Sequence, residues 1–159
     1  MKSLNLDIHQ QYAEIYDGDN WVGVSFCSAI DGITPELAFQ QPPGHRNSIA
    51  AIVKHMTHWK QFVIQKLQGN VSFDVDQEAS LDVTDLAADP AAGWKQLLEA
   101  QENIHEDLLD ALDDLSPEDL DTQVGGRDYD IKYLINGVAL HDMYHTGQIE
   151  LLKKQLQAL

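Results

Sequence analysis

Residues 133–154 read YLINGVALHDMYHTGQIELLKK, and this stretch decides the fold because its apolar residues recur at helical spacing. At about 100° per residue, one apolar face can be computed from Ile131 onward. The residues that share an arc of roughly 60° on that face are Leu134, Val138, Ile149, Leu152 and Leu156. His141 and His145 fall within or just beside the same arc. The stretch therefore predicts a helix over residues 129–157 whose inner face carries two histidines.

The opposite side of this helix is also apolar. Its members, roughly 180–220° round from Ile131, are Tyr133, Leu140, Tyr144 and Leu151. Apolar residues on two faces predict that the helix is buried on both sides, either at the centre of the fold or at a contact between two copies of the chain. For Tyr144, helix packing or a dimer contact is therefore favoured over a chemical role.

Helix breakers divide the rest of the chain into three further long segments. The predicted helices span residues 4–30, with an interruption at 16–18 and a new start at 19–20, then 49–67 and 90–115. Thr34-Pro35-Glu36 opens a short helical turn, and residues 71–90 form an acidic loop in which a short strand is the alternative. Four long amphipathic helices without a strand pattern predict an all-α four-helix bundle with long connecting loops, formed as one domain by residues 1–159.

The charge and composition exclude several classes of partner and location. With 26 acidic against 10 basic residues the formal net charge is −16, which argues against nucleic acid or an anionic membrane as a partner. No stretch approaches the roughly 18 apolar residues of a membrane span, and residues 1–10 lack the apolar core of a signal peptide. Cys27 is the only cysteine, so no internal disulfide forms, and we expect the protein in the cytoplasm.

A third histidine, His55, is predicted to face the pair formed by His141 and His145. On the second long helix His55 lies inside the apolar arc, whereas His58 lies roughly 130° from the centre of that arc, toward solvent. His141 and His145 lie on successive turns, close enough to share one metal ion with His55. Three neutral imidazoles suit zinc, nickel or another first-row divalent metal and leave a position open for water or substrate. The alternative is a core without metal, in which each histidine is satisfied by hydrogen bonds.

Two polar neighbours of the histidine pair are candidates for a role at such a site. Asp142 is a candidate catalytic residue because its carboxylate can orient a ligand ring, hold a water or act as a general base. The alternative for Asp142 is an ion-pair partner at the edge of the core. Gln148 lies beside the inner face, where its amide can bond to a ligand ring.

These motifs resemble a known family. The segments NSIAAIVKHMTHW, YLINGVALHDMYHTGQIELLKK and YDGDNWVGVSFCSAIDGITPELAFQQPPG are similar to the DinB/YfiT-like superfamily of metal-dependent four-helix-bundle proteins. The resemblance covers nearly the whole chain. It implies a metal triad with one histidine from the second helix and two from the last, which here are His55, His141 and His145. It also implies a homodimer, since many members of the superfamily are dimers.

The resemblance says less about the activity of the protein than about its fold. Its members include S-transferases that use low-molecular-weight thiols such as bacillithiol, mycothiol-dependent isomerases and proteins described as metal-dependent hydrolases. We expect an enzyme that activates such a thiol for transfer to a small-molecule substrate. The alternatives are a hydrolase with a metal-bound water and a non-catalytic metal-binding stress-response bundle. Arg46 and Arg127 border the starts of the two metal-bearing helices and are candidates for binding the thiol's carboxylates, with ordinary surface charges as the alternative.

Overall fold

The computed structural model describes residues 4–159, and its regular elements are helices joined by loops and turns. In chain order the helices are α1 (Leu4–Asp17), α2 (Phe26–Ile30), α3 (Pro35–Phe39), α4 (Ile49–Leu67), α5 (Gln77–Leu81), α6 (Thr84–Ala87), α7 (Pro90–Asp113) and α8 (Ile131–Gln157), with a 3-10 turn at Asp119–Asp121. Over the described residues no β-strand forms beyond one isolated bridge between Gln123 and Asp130. The predicted all-α class is therefore confirmed.

The four long helices form the bundle. Helix α4 packs on α7 and α8, and α1 packs on the same two helices, so α1 and α4 occupy opposite corners. The starts of α4, α7 and α8 are fixed by capping side chains, because Ser48, Asp89 and Asp130 each accept a hydrogen bond from a backbone N–H of the first turn. The boundaries predicted for α4, at residues 49 and 67, are confirmed.

The predicted restart of the first helix at residues 19–20 is wrong. Asn20 instead organises a loop: its side chain accepts from the backbone N–H of Gly23 at 3.0 Å and donates to the carbonyl of Val24 at 2.8 Å. Such side-chain bonds compete with helix formation. The helix resumes only at Phe26, behind the N-cap of Ser25.

The acidic segment at residues 71–90, predicted to be a loop or a short strand, instead contains α5 and α6. Asp76 caps α5 by accepting from the backbone N–H of Ala79 at 3.0 Å. Lys54 of α4 donates to the carbonyl oxygens of Ala79 at 2.9 Å and Asp82 at 2.6 Å, which ties α5 to the bundle. As a result Ser80 is buried against α4.

The core consists of two apolar clusters separated by a polar layer. One cluster is centred on Tyr12, Phe62, Leu108, Leu120 and Ile135, and the other on Phe26, Ile49, Met56, Trp94 and Ile149. The buried polar residues between them, at the middle of α4, α7 and α8, are His55, Lys60, Gln101, His105, Asp142 and Thr146. The inner stripes of the long helices therefore change from apolar to polar at one level of the bundle.

The second apolar face of α8 is not covered by the rest of the chain. Tyr133, Leu140, Tyr144 and Leu151 are each more than half exposed, at 67%, 69%, 64% and 53%. The prediction that α8 is a central helix is therefore wrong, and the predicted dimer contact on this face stays a prediction. Among residues 4–159 no helix is both long and apolar enough to cross a bilayer. The signal-peptide expectation for residues 1–10 rests in part on residues 1–3, which lie outside the described range.

Candidate metal centre

Helices α4 and α8 bring three histidine side chains together within the polar layer. The Nε2 atom of His141 lies 3.3 Å from Nε2 of His55 and 3.1 Å from Nε2 of His145. One ring nitrogen from each of the three residues lies within 4.8 Å of those from the other two. The arrangement follows from helix geometry, since His141 and His145 are one turn apart on α8 and face α4.

The outer nitrogens of two of these rings are held by acceptors. His55 Nδ1 lies 2.9 Å from Ser80 Oγ, and that hydroxyl donates its own proton to the carbonyl of Gln77 at 2.9 Å. His145 Nδ1 lies 2.7 Å from the amide oxygen of Gln148, whose NH₂ group donates to the hydroxyl of Tyr144 at 2.9 Å. Because Ser80 and Gln148 accept, Nδ1 carries the proton in both rings, and Nε2 presents a lone pair.

The third ring has a carboxylate at its outer nitrogen. His141 Nδ1 lies 3.7 Å from Asp142 Oδ1, which is longer than a hydrogen bond but favours a proton at Nδ1. On the inner side, the indole N–H of Trp59 donates to His55 Nε2 at 3.1 Å, in agreement with a lone pair at that atom. In His55 and His145 the Nε2 lone pair therefore faces Nε2 of His141, and the lone pair of His55 accepts from Trp59, a bond that a metal ion at this position would replace.

This donor set fits a divalent metal ion. A tetrahedral zinc ion with bonds of about 2.0–2.1 Å separates its ligand nitrogens by about 3.3 Å, close to the measured separations of 3.1 and 3.3 Å. Burial, reinforced by the neighbouring His141 and His145, lowers the pKa of His55 to about 4. Burial likewise lowers the pKa of His145. Both rings are therefore neutral at neutral pH, which is the form that binds a metal.

Asp142 lies in a buried ion pair. One carboxylate oxygen contacts the Lys60 ammonium, and the two side chains are only 3% and 2% exposed. Burial alone raises the pKa of the Asp142 carboxyl, but the adjacent Lys60 charge outweighs this, so the pKa lies below its usual value. One oxygen is thus bound by Lys60, and the other lies beside the outer nitrogen of His141 without a hydrogen bond. The geometry matches the ion-pair alternative considered for Asp142.

The two arginines lie on different sides of the histidine cluster. Arg46 lines a recess that it shares with Gln148, the residue that holds His145. Arg127 is bound to the carboxylate of Asp74 at 2.7 Å, and its guanidinium carbon lies 5.3 Å from the centre of the Phe62 ring. Arg46 is therefore adjacent to an outer partner of the cluster, whereas Arg127 borders an aromatic wall farther along α4.

Three residues that shape this region were missed by the sequence analysis. Ser80 gave no sequence signal, because it lies in a short helix that only tertiary contacts position. Lys60 did give one: it stands four residues after Met56 on the apolar face of α4, where a charge requires a partner. Trp59 was assigned to the apolar arc, but its N–H is directed at a histidine. His58, the rival to His55, is half-buried and lies outside the three-histidine group.

The fold and this cluster define an all-α bundle in which three histidines from two helices could hold a metal ion. The chain belongs to the DinB superfamily, whose profile matches residues 25–149, a range that includes all three histidines. The family resemblance inferred from the sequence motifs is therefore confirmed. No curated protein and no solved structure gives a significant match to the chain.

Proposed function

We propose that this protein is a metal-dependent enzyme in which His55, His141 and His145 hold a first-row divalent cation, zinc or nickel. Its reaction is the transfer of a low-molecular-weight thiol, such as bacillithiol, to a small-molecule electrophile. One observation carries the proposal: three Nε2 atoms converge with separations of 3.1 and 3.3 Å while Ser80 and Gln148 hold the far sides of two of the rings. Such outer partners fix the orientation of metal-ligating imidazoles.

The cation, when bound, lowers the pKa of a thiol at the position that three histidines leave open. The protein's own part is orientation. Ser80 and Gln148 keep the proton of His55 and His145 on Nδ1, so that Nε2 faces the site. In the transfer the thiol proton goes to solvent, a sulfur–carbon bond forms on the electrophile, and its leaving group departs with the bonding electron pair. No redox partner is needed.

The position of Asp142 favours thiol transfer over hydrolysis. A hydrolase needs a general base near the open position, and Asp142 was the candidate. Its carboxylate is instead shared between Lys60 and the outer side of His141. A thiol whose pKa is lowered by the metal needs no such base at neutral pH. Catalysis by Asp142 thus belongs to the hydrolase alternative, and in the thiol reaction Asp142 positions His141.

We assign Arg46 and Arg127 to binding the carboxylates of the thiol. Arg46 is the better placed, because it lines a recess with Gln148 next to the histidine cluster. Arg127 would first have to exchange its present partner, Asp74.

Transfer to small electrophiles fits a cytoplasmic protein. The exposed apolar face of α8 supports the proposed homodimer, which sedimentation of the purified chain will test.

The test of the metal site is a comparison of two histidines on one helix. His55→Ala removes a proposed ligand, and His58→Ala removes a half-buried histidine three residues away that is not part of the cluster. Elemental analysis of the untagged protein should give about one divalent metal per chain in the parent and in H58A, and strongly reduced metal in H55A. Equal metal content in H55A and H58A would overturn the proposed site.

The test of the reaction uses the metal-loaded protein with and without thiol. Conjugation of bacillithiol to an electrophile, measured as loss of free thiol and abolished in H55A but not in H58A, supports S-transfer. Turnover of an ester or amide without thiol would replace S-transfer by hydrolysis. Metal binding without either reaction would leave the non-catalytic bundle.

A further inference from the structure

An aromatic pocket opens beside the three-histidine cluster. It has a volume of about 190 Å³ and lies between α4 and α8. The wall residues that matter here are Trp59, Phe62, Tyr129, Tyr133, Gly137 and His141. The pocket therefore shares one of its walls, His141, with the proposed metal centre.

Trp59 separates the pocket from the cluster and contacts both. Its ring centre lies 5.5 Å from that of His141, and its indole N–H donates to Nε2 of His55 at 3.1 Å. Because the polar edge of the indole is directed at His55, its carbon surface is left for the pocket. A ligand seated against Trp59 and His141 would lie next to the nitrogens that converge on the metal position.

The walls of the pocket suit an apolar ligand group rather than a charged one. The rings of Trp59 and Phe62 lie edge to face with their centres 5.3 Å apart, and those of Tyr129 and Tyr133 are 5.2 Å apart. Aromatic walls of this kind bind flat apolar groups by offset or edge contacts. The nearby cation, Arg127, is already bound to a carboxylate, so the pocket offers no free charge to an ionic ligand.

The size of the pocket limits its occupant to a small group. A cavity of about 150 Å³ lined by apolar side chains takes up benzene. The present volume of about 190 Å³ therefore suits one six-membered ring with a short substituent, and it is too small for a helix or a peptide segment.

A glycine keeps the pocket open. Gly137 lies in the second turn of α8, inside the helix, where a glycine costs about 1 kcal/mol relative to alanine, and a Cβ at this position would meet no atom within 4 Å. The space that its side chain would fill is the pocket. Gly147 lies on the same helix, is also exposed and also has open space around a Cβ, but it does not line the pocket. The two glycines thus form a matched pair.

We propose that this pocket binds the aromatic or otherwise apolar ring of the electrophilic substrate and holds that ring against His141. For the reaction the inference rests on the proposed function, whereas binding of the ring does not depend on it. The substrate class is therefore a small neutral molecule with one apolar ring. Gly137, as a residue that leaves room for the ring, determines the size of the ring that fits.

The test compares Gly137→Leu with Gly147→Leu in the full chain, with benzyl alcohol as a neutral probe. Saturation-transfer NMR should give equal binding to the parent and to G147L, and binding at least about tenfold weaker to G137L. Both substitutions replace a helical glycine by a strong helix former, so both variants should keep the metal content of the parent and melt at the same or a higher temperature. If G137L were not folded, Gly137→Ala, which adds one methyl group, should still weaken binding measurably.

Equal binding of benzyl alcohol to all variants would overturn the pocket. Binding of benzyltrimethylammonium more than about tenfold tighter than that of benzyl alcohol would also overturn it, since the rings would then form a cage for cations. The proposed function can fail separately. If the parent binds no metal but G137L binds the probe more weakly than the parent does, the pocket is supported and the metal enzyme is refuted. A parent with metal on the histidines and no G137L effect refutes the pocket alone.

Discussion

Two polar clusters share the middle layer of the bundle, and they are satisfied in different ways. The three-histidine cluster (His55, His141 and His145) directs like groups, three ring nitrogens, at one point. The ion-pair cluster consists of Lys60 and Asp142, whose opposite charges neutralise each other inside the protein, and of the other buried polar residues of the layer, Gln101, His105 and Thr146. The first cluster has the ligand atoms to hold a metal ion from outside, and the second is complete in charge without one.

The comparison shows that burial alone does not identify a binding site. In the ion-pair cluster the described residues offer no hydrogen-bond partner to Gln101 Nε2, His105 Nδ1, Asp142 Oδ1 or Thr146 Oγ1, yet these residues do not form a group that could hold a metal ion. In the histidine cluster Ser80 and Gln148 hold the outer nitrogens of His55 and His145, and the inner Nε2 atoms of all three rings face one another. Convergence of lone pairs, with their protons fixed on the far side, is the feature that distinguishes a metal site from a structural polar core.

The largest effect is expected when the ion pair is broken. Lys60→Met leaves the Asp142 carboxylate buried without its counter-ion, and an unpaired buried charge costs about 3–5 kcal/mol. The free energy of unfolding, measured by denaturant titration at neutral pH, should fall by that amount.

The double variant K60M/D142L is the control for that loss. It removes both charges, and replacing a buried ion pair with apolar groups is neutral or stabilising in comparable cases, so it should recover most of the lost stability. A double variant as unstable as K60M would contradict the ion-pair assignment, because the loss would then come from the packing of the Lys60 chain.

The next effect separates the two clusters by their response to metal. Zinc at 100-fold over its dissociation constant should raise the free energy of unfolding of the parent by about 2.7 kcal/mol. At the same zinc concentration the gain should persist in K60M/D142L, because the three histidines remain, but it should be smaller because His141 loses Asp142, and it should vanish in His145→Ala. Melting curves of the parent and the two variants, recorded with zinc and with chelator, measure these gains. A zinc-dependent gain that survives in H145A but is lost in K60M/D142L would reverse the roles assigned to the two clusters.

The sequence predicted the long helices and the grouping of the histidines because both depend on periodicity. A helix of 19 residues such as α4 repeats its apolar pattern over several turns, and His55 falls on that pattern as His141 does on α8. Helices of 5 and 4 residues such as α5 and α6 contain too few turns to show a period, so their segment was assigned to a loop. Element length decided what could be predicted.

The remaining parts of the site depend on contacts between distant residues. Ser80 reaches His55 only because Lys54 holds the end of α5, and no local pattern encodes that contact. The ion pair did leave a sequence signal. Lys60 and Asp142 each interrupt an apolar stripe, one four residues after Met56 and the other four residues after Val138. Opposite charges on the inner faces of two helices predict a buried pair, although only the structure shows that the helices are in contact.

A smaller effect is expected from the outer shell of the histidine cluster. Ser80→Ala removes the acceptor from His55 Nδ1, and loss of such a partner weakens metal binding about 10- to 100-fold. Competition with a chelating dye measures the affinity. Ser72→Ala, in the same segment but bonded only to Asn70, is the control and should leave the affinity unchanged. Equal affinities of S80A and the parent would mean that His55 is oriented by other contacts, such as that of Trp59.

The smallest effect is expected from the titration of His105, a buried residue of the ion-pair cluster. Burial, followed by the positive charge of Lys60, lowers the pKa of His105 from 6.5 to about 4, while Asp142 opposes the shift. The unfolded chain therefore binds this proton more tightly than the folded protein. The stability that His105 contributes is complete above about pH 6.5 and is lost as the pH falls from 6.5 toward 4.

A substitution that keeps the packing of His105 isolates this proton. The imidazole is stacked on Tyr16 with ring centres 4.0 Å apart, so His105→Phe keeps an aromatic contact and removes the titrating group. Between pH 7 and pH 5 the metal-free parent should lose about 1–2 kcal/mol more stability than H105F, measured by denaturant unfolding at each pH. Parallel losses in the two proteins would mean that the ion-pair cluster takes up the proton without cost. The two clusters would then differ only in geometry and not in the free-energy cost of placing a charge in them.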